Sequence, residues 1–428
     1  MKAVRWIVGL LLISALALSI IGCKSEDDLI TIWAWNKNVD ILQDAVERYQ
    51  DVNPDFNAEV VSYSSGDIDQ KFKSASQQKN GGNYIADILL GDAINMRAYI
   101  AQWEDIFVNF AEYGVTEESQ NLFVRSTIDL VKYGDKLYAM PYGIGPTVVF
   151  AYIPLWEESD LEKVRTEGWT WEEYIEIGKK LKQQSSDCYM AAYNMRSDDR
   201  LYRTMVSQLG EWFMDKDLNV QVGNQNSITA MTMIKDMYDT NLIKHFDTGT
   251  YQTEMATGKI AAEIHGFSTS GQIKSAAPAM NGDWEILPCP SWTKGGNSAS
   301  ITGGSYLYVN DSISENKKQN CIDFVKWYTL SDENVLQGLK IGGIYTPFLP
   351  AYDTDFFNSS TDDYFNGQKV YKDVADYTKS AIAIYPSEFF EYNLSVFTSA
   401  QEQILFNGQD IKTQLDIAKN AMNSNKLK

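Results

Sequence analysis

The sequence predicts an α/β protein in which mostly parallel sheets are flanked by helices and the chain divides into two lobes. Three observations carry this expectation. From residue 29 onward, short apolar and β-branched runs alternate with amphipathic stretches, the pattern of parallel strands joined by right-handed crossovers. At 428 residues the chain exceeds the roughly 250–300 at which a single hydrophobic core stops growing. Beyond an N-terminal apolar run, no segment approaches the about 20 residues that a bilayer span requires.

The elements follow in order. Leu29-Ile30-Thr31-Ile32-Trp33-Ala34-Trp35 is a short apolar run that predicts a buried strand. Val39, Leu42, Ala45, Val46, Tyr49 and Val52 recur at helical spacing, and Pro54 stops that helix. A second strand is expected from Phe56 to Tyr63, then a helix from Asp67 to Lys79 ended by the Asn80-Gly81-Gly82-Asn83 turn. Ile85 to Leu90 reads as a third strand, followed by helical Ala93 to Trp103. Tyr133-Gly134-Asp135-Lys136-Leu137-Tyr138 is a hairpin. Pro141, Gly143, Gly145 and Pro146 then precede a strand over Thr147 to Tyr152, and this Pro/Gly-rich run reads as a crossing between lobes. Thr170 and Glu173 form a capping box that opens a helix to Gln183. Trp284 to Pro288 and Ser305 to Asn310 read as strands, Asn316 to Thr329 and Asp410 to Met422 as helices. Polar Asp353 to Asp363 reads as a surface loop.

In open α/β sheets, ligands bind beyond the carboxyl ends of the strands. Those ends carry Trp35-Asn36-Lys37, Ser64-Ser65 and Gly91-Asp92, which set an aromatic ring, an amide, an amine, hydroxyls and a carboxylate on one rim. The same residue types also serve as helix caps and turns.

The N-terminus has its own logic. Lys2 and Arg5 precede an almost unbroken apolar run from Trp6 to Ile21, the layout of an export signal. The run closes on Ile20-Ile21-Gly22-Cys23, which resembles the lipobox of bacterial lipoproteins. On that reading residues 1–22 are a signal peptide and Cys23 is lipidated after cleavage. Residues 23–28 then tether the body to the extracytoplasmic face of the cell membrane. A plain signal peptide with a chance cysteine is the alternative.

Without Lys2 and Arg5, 35 of the 37 basic residues stand against 57 acidic ones, a balance of −22. Such a surface argues against nucleic acid and against adhesion to anionic lipid. Cys188, Cys289 and Cys321 form no CxxC pattern and are odd in number, which points to buried free thiols and at most one bridge. Most of the 25 Tyr, 18 Phe and 11 Trp must be core, while the flat faces and polar edges of Tyr and Trp also suit hydroxylated ligands.

In this order the segments resemble family 1 of the extracellular solute-binding proteins of bacterial ABC importers, the group that contains maltose-binding protein. The marks are the lipobox, Thr31-Ile32-Trp33-Ala34-Trp35, and Ala86-Asp87-Ile88 before Asp92. Gly134 to Tyr142, Trp169 to Glu173, Gly258 to Ala262, Gly303-Gly304-Ser305-Tyr306 and Ile404 to Gly408 continue them. The chain departs at Ala262, where the family often has Met, and at Phe267, where it often has Trp. The resemblance implies a two-lobed periplasmic-binding-protein fold of type II, hinged by crossing strands. Lobe I would comprise 29–143 and 289–345, and lobe II 144–288 and 346–428. It also implies a monomer that binds a carbohydrate without a cofactor and passes it to permease subunits. By motif position the ligand residues would be Trp35, Asn36, Ser65, Asp92, Tyr142, Phe267, Gly304, Ser305 and Tyr345.

Other chemistries find less support. His245 and His265 lack metal spacing. Asp215 to Asn219 opens like a calcium loop, but Val220 holds the glycine position and Asn226 the glutamate position, so a hairpin turn is expected. Asp353 and Asp355 are a further cation option in a loop. A surface glycoside hydrolase needs two facing carboxylates, for which Asp92 and Glu263 are one pair. A non-sugar solute such as a peptide, polyamine or phosphate compound is the remaining alternative.

Overall fold

The computed structural model describes residues 29–93, 96, 99–100, 103–215, 217, 219–385 and 389–426. The signal segment, Cys23 and the tether lie outside the described residues. Among the described residues, no helix is long and apolar enough to cross a membrane.

Eleven strands form among them. They are β1 (Ile30–Ala34), β2 (Ala58–Ser62), β3 (Ile88–Asp92), β4 (Lys132–Tyr133), β5 (Lys136–Leu137) and β6 (Met140–Tyr152). The others are β7 (Ala191–Tyr193), β8 (Ile243–His245), β9 (Ala262–Gly266), β10 (Trp284–Leu287) and β11 (Ile301–Val309). Seven of these make one sheet in the order β10-β6-β11-β3-β1-β2, with β9 also on β6. β1 pairs in parallel with β2 and β3, the βαβ core anticipated from the alternating pattern. β11 runs antiparallel between β3 and β6.

β6 belongs to both halves of the molecule. Its first part, to Pro146, lies against β11. From Thr147 it lies between β9 and β10, antiparallel to both. The parallel pair β7–β8 joins this second half through β9, since Ala261 N donates to Tyr189 O at 2.7 Å and Ala262 N to Met190 O at 2.8 Å. The strand is therefore continuous through the Pro/Gly-rich run, which the sequence had placed ahead of it. Pro141 and Pro146 have no N–H for a ladder. The register shifts of β11 fall beside them, between Ile301 and Gly304 and between Ser305 and Tyr306.

Each half has a core. The first gathers Ile32, Leu89, Leu307 and Phe324, the second Trp171, Met205, Trp212 and Phe397. The helix Trp171–Gln184 opens with the expected reciprocal cap between Thr170 and Glu173. Phe348 to Ala381 join the first cluster, which also takes in Phe150, Ile273, Trp284 and Ile286 of the second half, and Ile384 onward joins the second. Within that stretch the expected surface loop is partly structural. Asp355–Ser359 is a short helix, and Phe357 is buried against Tyr345 and Tyr352 at 5.6 and 5.0 Å between ring centres. Cys188, Cys289 and Cys321 are all buried and free, as the odd count indicated.

Asp87 ties three elements together. Its carboxylate accepts Thr31 N at 2.7 Å and Thr31 Oγ1 at 3.0 Å from β1, and pairs with Lys317 at 2.9 Å from the helix Glu315–Thr329. Removing it leaves a largely buried ammonium and a backbone donor without their acceptor. Asp87→Ala is expected to lower the free energy of unfolding by about 3 kcal/mol, the scale for breaking a buried pair from one side. Urea titration of both proteins measures this, and a loss within error of zero contradicts the assignment.

Candidate ligand-binding site

Of the expected ligand residues, Gly304 and Ser305 sit where β6 and β11 run side by side between the halves, with Asp92 next to them on β3. Gly304 pairs with Ile144 and Ser305 with Gly143, while Ser305 faces Asp92 across its other edge. A Cβ on Gly304 would lie 2.8 Å from the Gly143 carbonyl oxygen, so the two backbones approach as closely as they do only because this residue is glycine. Thr302, Gly303, Gly304 and Ser305 are partly exposed, whereas Ile301 and Tyr306 on either side are buried. The sheet is thus open to solvent at the crossing, with backbone groups and two hydroxyls presented there.

The strand ends of the first half border this opening. Trp35 follows β1 and is half-buried, and its carbonyl accepts Asn38 N at 3.1 Å and Asn38 Nδ2 at 3.0 Å. Asn36 is exposed at φ 51°, a left-handed conformation that Asn tolerates better than most side chains. Ser65 is exposed as the first residue of the helix Ser65–Ser76. The cap itself is Ser64, whose Oγ accepts Asp67 N at 3.0 Å, so the capping role falls on the neighbour. Asp92 is partly exposed at the end of β3, and its charge together with burial raises the pKa of the Tyr306 hydroxyl.

Three aromatic residues expected to cover a ligand lie in the core instead. Tyr142 is 2% exposed and stacks on Tyr328 at 5.5 Å, because its place in β6 turns it toward the helix Glu315–Thr329. Tyr345 is 1% exposed and donates its hydroxyl to the Tyr371 carbonyl at 2.6 Å. Phe267, just past β9, is buried and meets Tyr345 edge-on at 5.7 Å. These rings shape the walls from behind. Trp35 is partly exposed at the rim.

The second half contributes residues that the sequence reading passed over. Arg200 and Arg203 sit three apart on the helix Arg200–Ser207 and share a face. Arg203 donates to the Thr302 carbonyl at 3.3 Å, pairs with Asp199 at 3.5 Å and lies 5.2 Å from the Trp212 ring centre. Arg200 pairs with Asp198 at 2.6 Å and approaches Glu263 at 3.9 Å. The signal was present as Arg196, Arg200 and Arg203 interleaved with Asp198-Asp199, though nothing local says that Thr302 is the target.

Glu263 is fully buried and accepts Ala192 N at 2.7 Å. Enclosed in this way, it does not face Asp92 across the crossing, which removes the carboxylate pair considered for glycoside hydrolysis. His265 accepts Gly266 N at 2.8 Å, and burial, aided by the Arg200 charge, holds it well below the usual imidazole range. Asp215 takes the N–H groups of Asp217 and Asn219 at 2.9 and 2.8 Å inside the turn that bridges Met214 to Val220, so it closes a hairpin. Among the described residues, no three His, Cys, Asp or Glu side chains assemble as a metal site. The arrangement as a whole suits hydrogen bonding to a polar, hydroxylated solute against one indole face.

Burial pushes the Glu263 carboxyl from 4.5 up to about 8, against the pull of Arg200. The folded protein keeps a proton that the unfolded chain releases. Stability from this site is complete below the unfolded value and is lost as pH rises through about 8. Glu263→Gln should remove this slope. Wild-type melting temperature is expected to fall relative to the variant between about pH 5 and about pH 9, and parallel curves contradict it.

The comparisons agree with this architecture. A lactose-binding protein of Rhizobium radiobacter is 24% identical over 375 residues, covering 86% of this chain and 85% of its own. An arabinooligosaccharide-binding protein of Halalkalibacterium halodurans is 23% identical over 404 residues, covering 90% and 87%. The solved sugar-binding protein MalE of Xanthomonas citri superposes with a TM-score of 0.76 at 14% identity, over 93% of this chain and 98% of that one. This likeness establishes the two-lobed type II binding-protein fold. The profile of the bacterial extracellular solute-binding proteins matches residues 44–365, and the chain belongs to that family.

Proposed function

We propose that the protein captures a mono- or oligosaccharide at the crossing between its halves and hands it, chemically unaltered, to the permease of an ABC importer. The observation that carries this reading is the open stretch Thr302 to Ser305. It has Trp35 and Asp92 on one side and Arg203 on the other. Carboxylate, guanidinium and hydroxyl groups bond sugar hydroxyls, with charge-assisted bonds contributing about 1.5–3 kcal/mol each. The indole covers an apolar ring face. The names of the two relatives, which bind lactose and arabino-oligosaccharides, point the same way.

The reading includes an anchored, monomeric body. Cys23, in its lipobox-like setting, would carry the lipid, with residues 1–22 removed. The two working lobes hinge on β6 and β11. In this reading lobe I comprises residues 29–143 and 289–345 and lobe II 144–288 and 346–428, an assignment that the Lys274–Asp362 pair and the Gln368–Ile286 hydrogen bond support.

A thermal-shift screen against a carbohydrate panel tests the ligand class. A sugar at a hundred times its dissociation constant should stabilise by about 2.7 kcal/mol, and Asp92→Ala should lose most of that shift. A wild type indifferent to every sugar but stabilised by peptides, polyamines or phosphates overturns the reading, as does release of new reducing ends from an oligosaccharide on incubation. Hinge closure about crossing strands also predicts compaction. Small-angle scattering should give a smaller radius of gyration with the bound sugar, and an unchanged value argues for a rigid body.

A further inference from the structure

We propose that a second sugar-binding surface lies outside the crossing, along the flank of the helix Ser65–Ser76, and holds the outer units of an oligosaccharide whose end sits between the halves. This rests on the carbohydrate reading above. The feature is a groove of 570 Å³ lined by Tyr63, Asp67, Gln70, Lys71, Gln78 and Tyr84, with Ser74 and Ala75 at its floor.

Its position makes it continuous with the rim. Tyr63 is the first residue past β2, and its N–H donates to the Ala34 carbonyl at 3.0 Å, which sets it beside Trp35. Ser64 and Ser65 come next. From there the helix Ser65–Ser76 runs on, about 10 Å from Asp67 to Ser74 at the helical rise. β2 is the edge strand of the sheet, so no further strand covers this flank.

Its chemistry fits a chain of sugar rings. Asp67, Gln70, Lys71 and Ser74 share one face of the helix, which offers carboxylate, amide, amine and hydroxyl groups in a row, and Gln78 adds an amide just past the helix end. Opposite them stand aromatic rings. Tyr84 is 57% exposed and lines the groove. Tyr63 and Trp33 meet edge-to-face at 5.3 Å, and the Lys71 ammonium lies 4.6 Å from the Tyr63 ring centre and 5.7 Å from that of Trp33. That cation–π seat holds a donor in place over an apolar floor. Polar groups facing flat rings along an open groove suit a ligand that is hydroxylated on its edges and apolar on its faces. The acidic surface of the chain disfavours an anionic polymer there.

The test is calorimetric titration of wild type, Tyr84→Ala and Lys71→Ala with galacto- and arabino-oligosaccharides from monomer to pentamer. Wild-type affinity should rise with chain length beyond the units held at the crossing. Both variants should bind the shortest ligand as wild type does, which doubles as the control for folding. They should lose at least about fivefold for the longer ones, the scale of one aromatic or cation–π contact. If wild type binds a sugar but length brings no gain, or the variants keep the gain, the groove is not a sugar surface and the crossing site stands alone. If no sugar binds wild type, both readings fall together.

Discussion

The close approach of β6 and β11 is the constraint on which the rest of the structure depends. Two antiparallel strands carry the chain between halves, and at Gly304 the Gly143 carbonyl leaves no room for a side chain, while the Ile344 and Ser305 side chains fill the space at Gly143. Register shifts on both sides of this pair accommodate two prolines that cannot complete a ladder. The crossing is thus thin, irregular and partly wet, while the sheet on either side is buried and regular. A joint of this kind lets two well-packed bodies change their mutual angle with small changes in a few backbone torsions.

Placement of polar groups follows from the same geometry. β3 ends at Asp92 directly opposite Ser305, and the helix carrying Arg203 reaches the carbonyl of Thr302 from the other half. Each side chain is held by its own half: Arg203 by Asp199 and the Trp212 ring, the first wall by the Asp87 network beneath β1 and β3. Groups fixed in this way lose little freedom when a ligand arrives, which favours affinity from few contacts.

How much was legible in the sequence depends on range. β1, β2 and their helix carry strong local periodicity, and they lie where the pattern puts them. The Gly303-Gly304-Ser305 run stood out locally, and Gly304 lies where β6 and β11 approach closely. The aromatic ring assignments misled, since the side to which Tyr142 points depends on strand parity and on bulges in its neighbour. The polar look of Asp353 to Asp363 hid Phe356 and Phe357, whose partners lie elsewhere in the chain. β7, β8 and β9 are three to five residues long, too short for periodicity to declare them. Arg203 shows locally only its pairing with Asp199, and its reach to Thr302, 99 residues away, has no local signature.

The three described cysteines bear on how such a chain matures. Burial raises the pKa values of Cys188, Cys289 and Cys321, so the reactive thiolate is scarce at neutral pH. None of the three is joined to another. Folding of this body therefore needs no oxidising catalyst, and its finished state offers little to oxidants or to mixed-disulfide exchange.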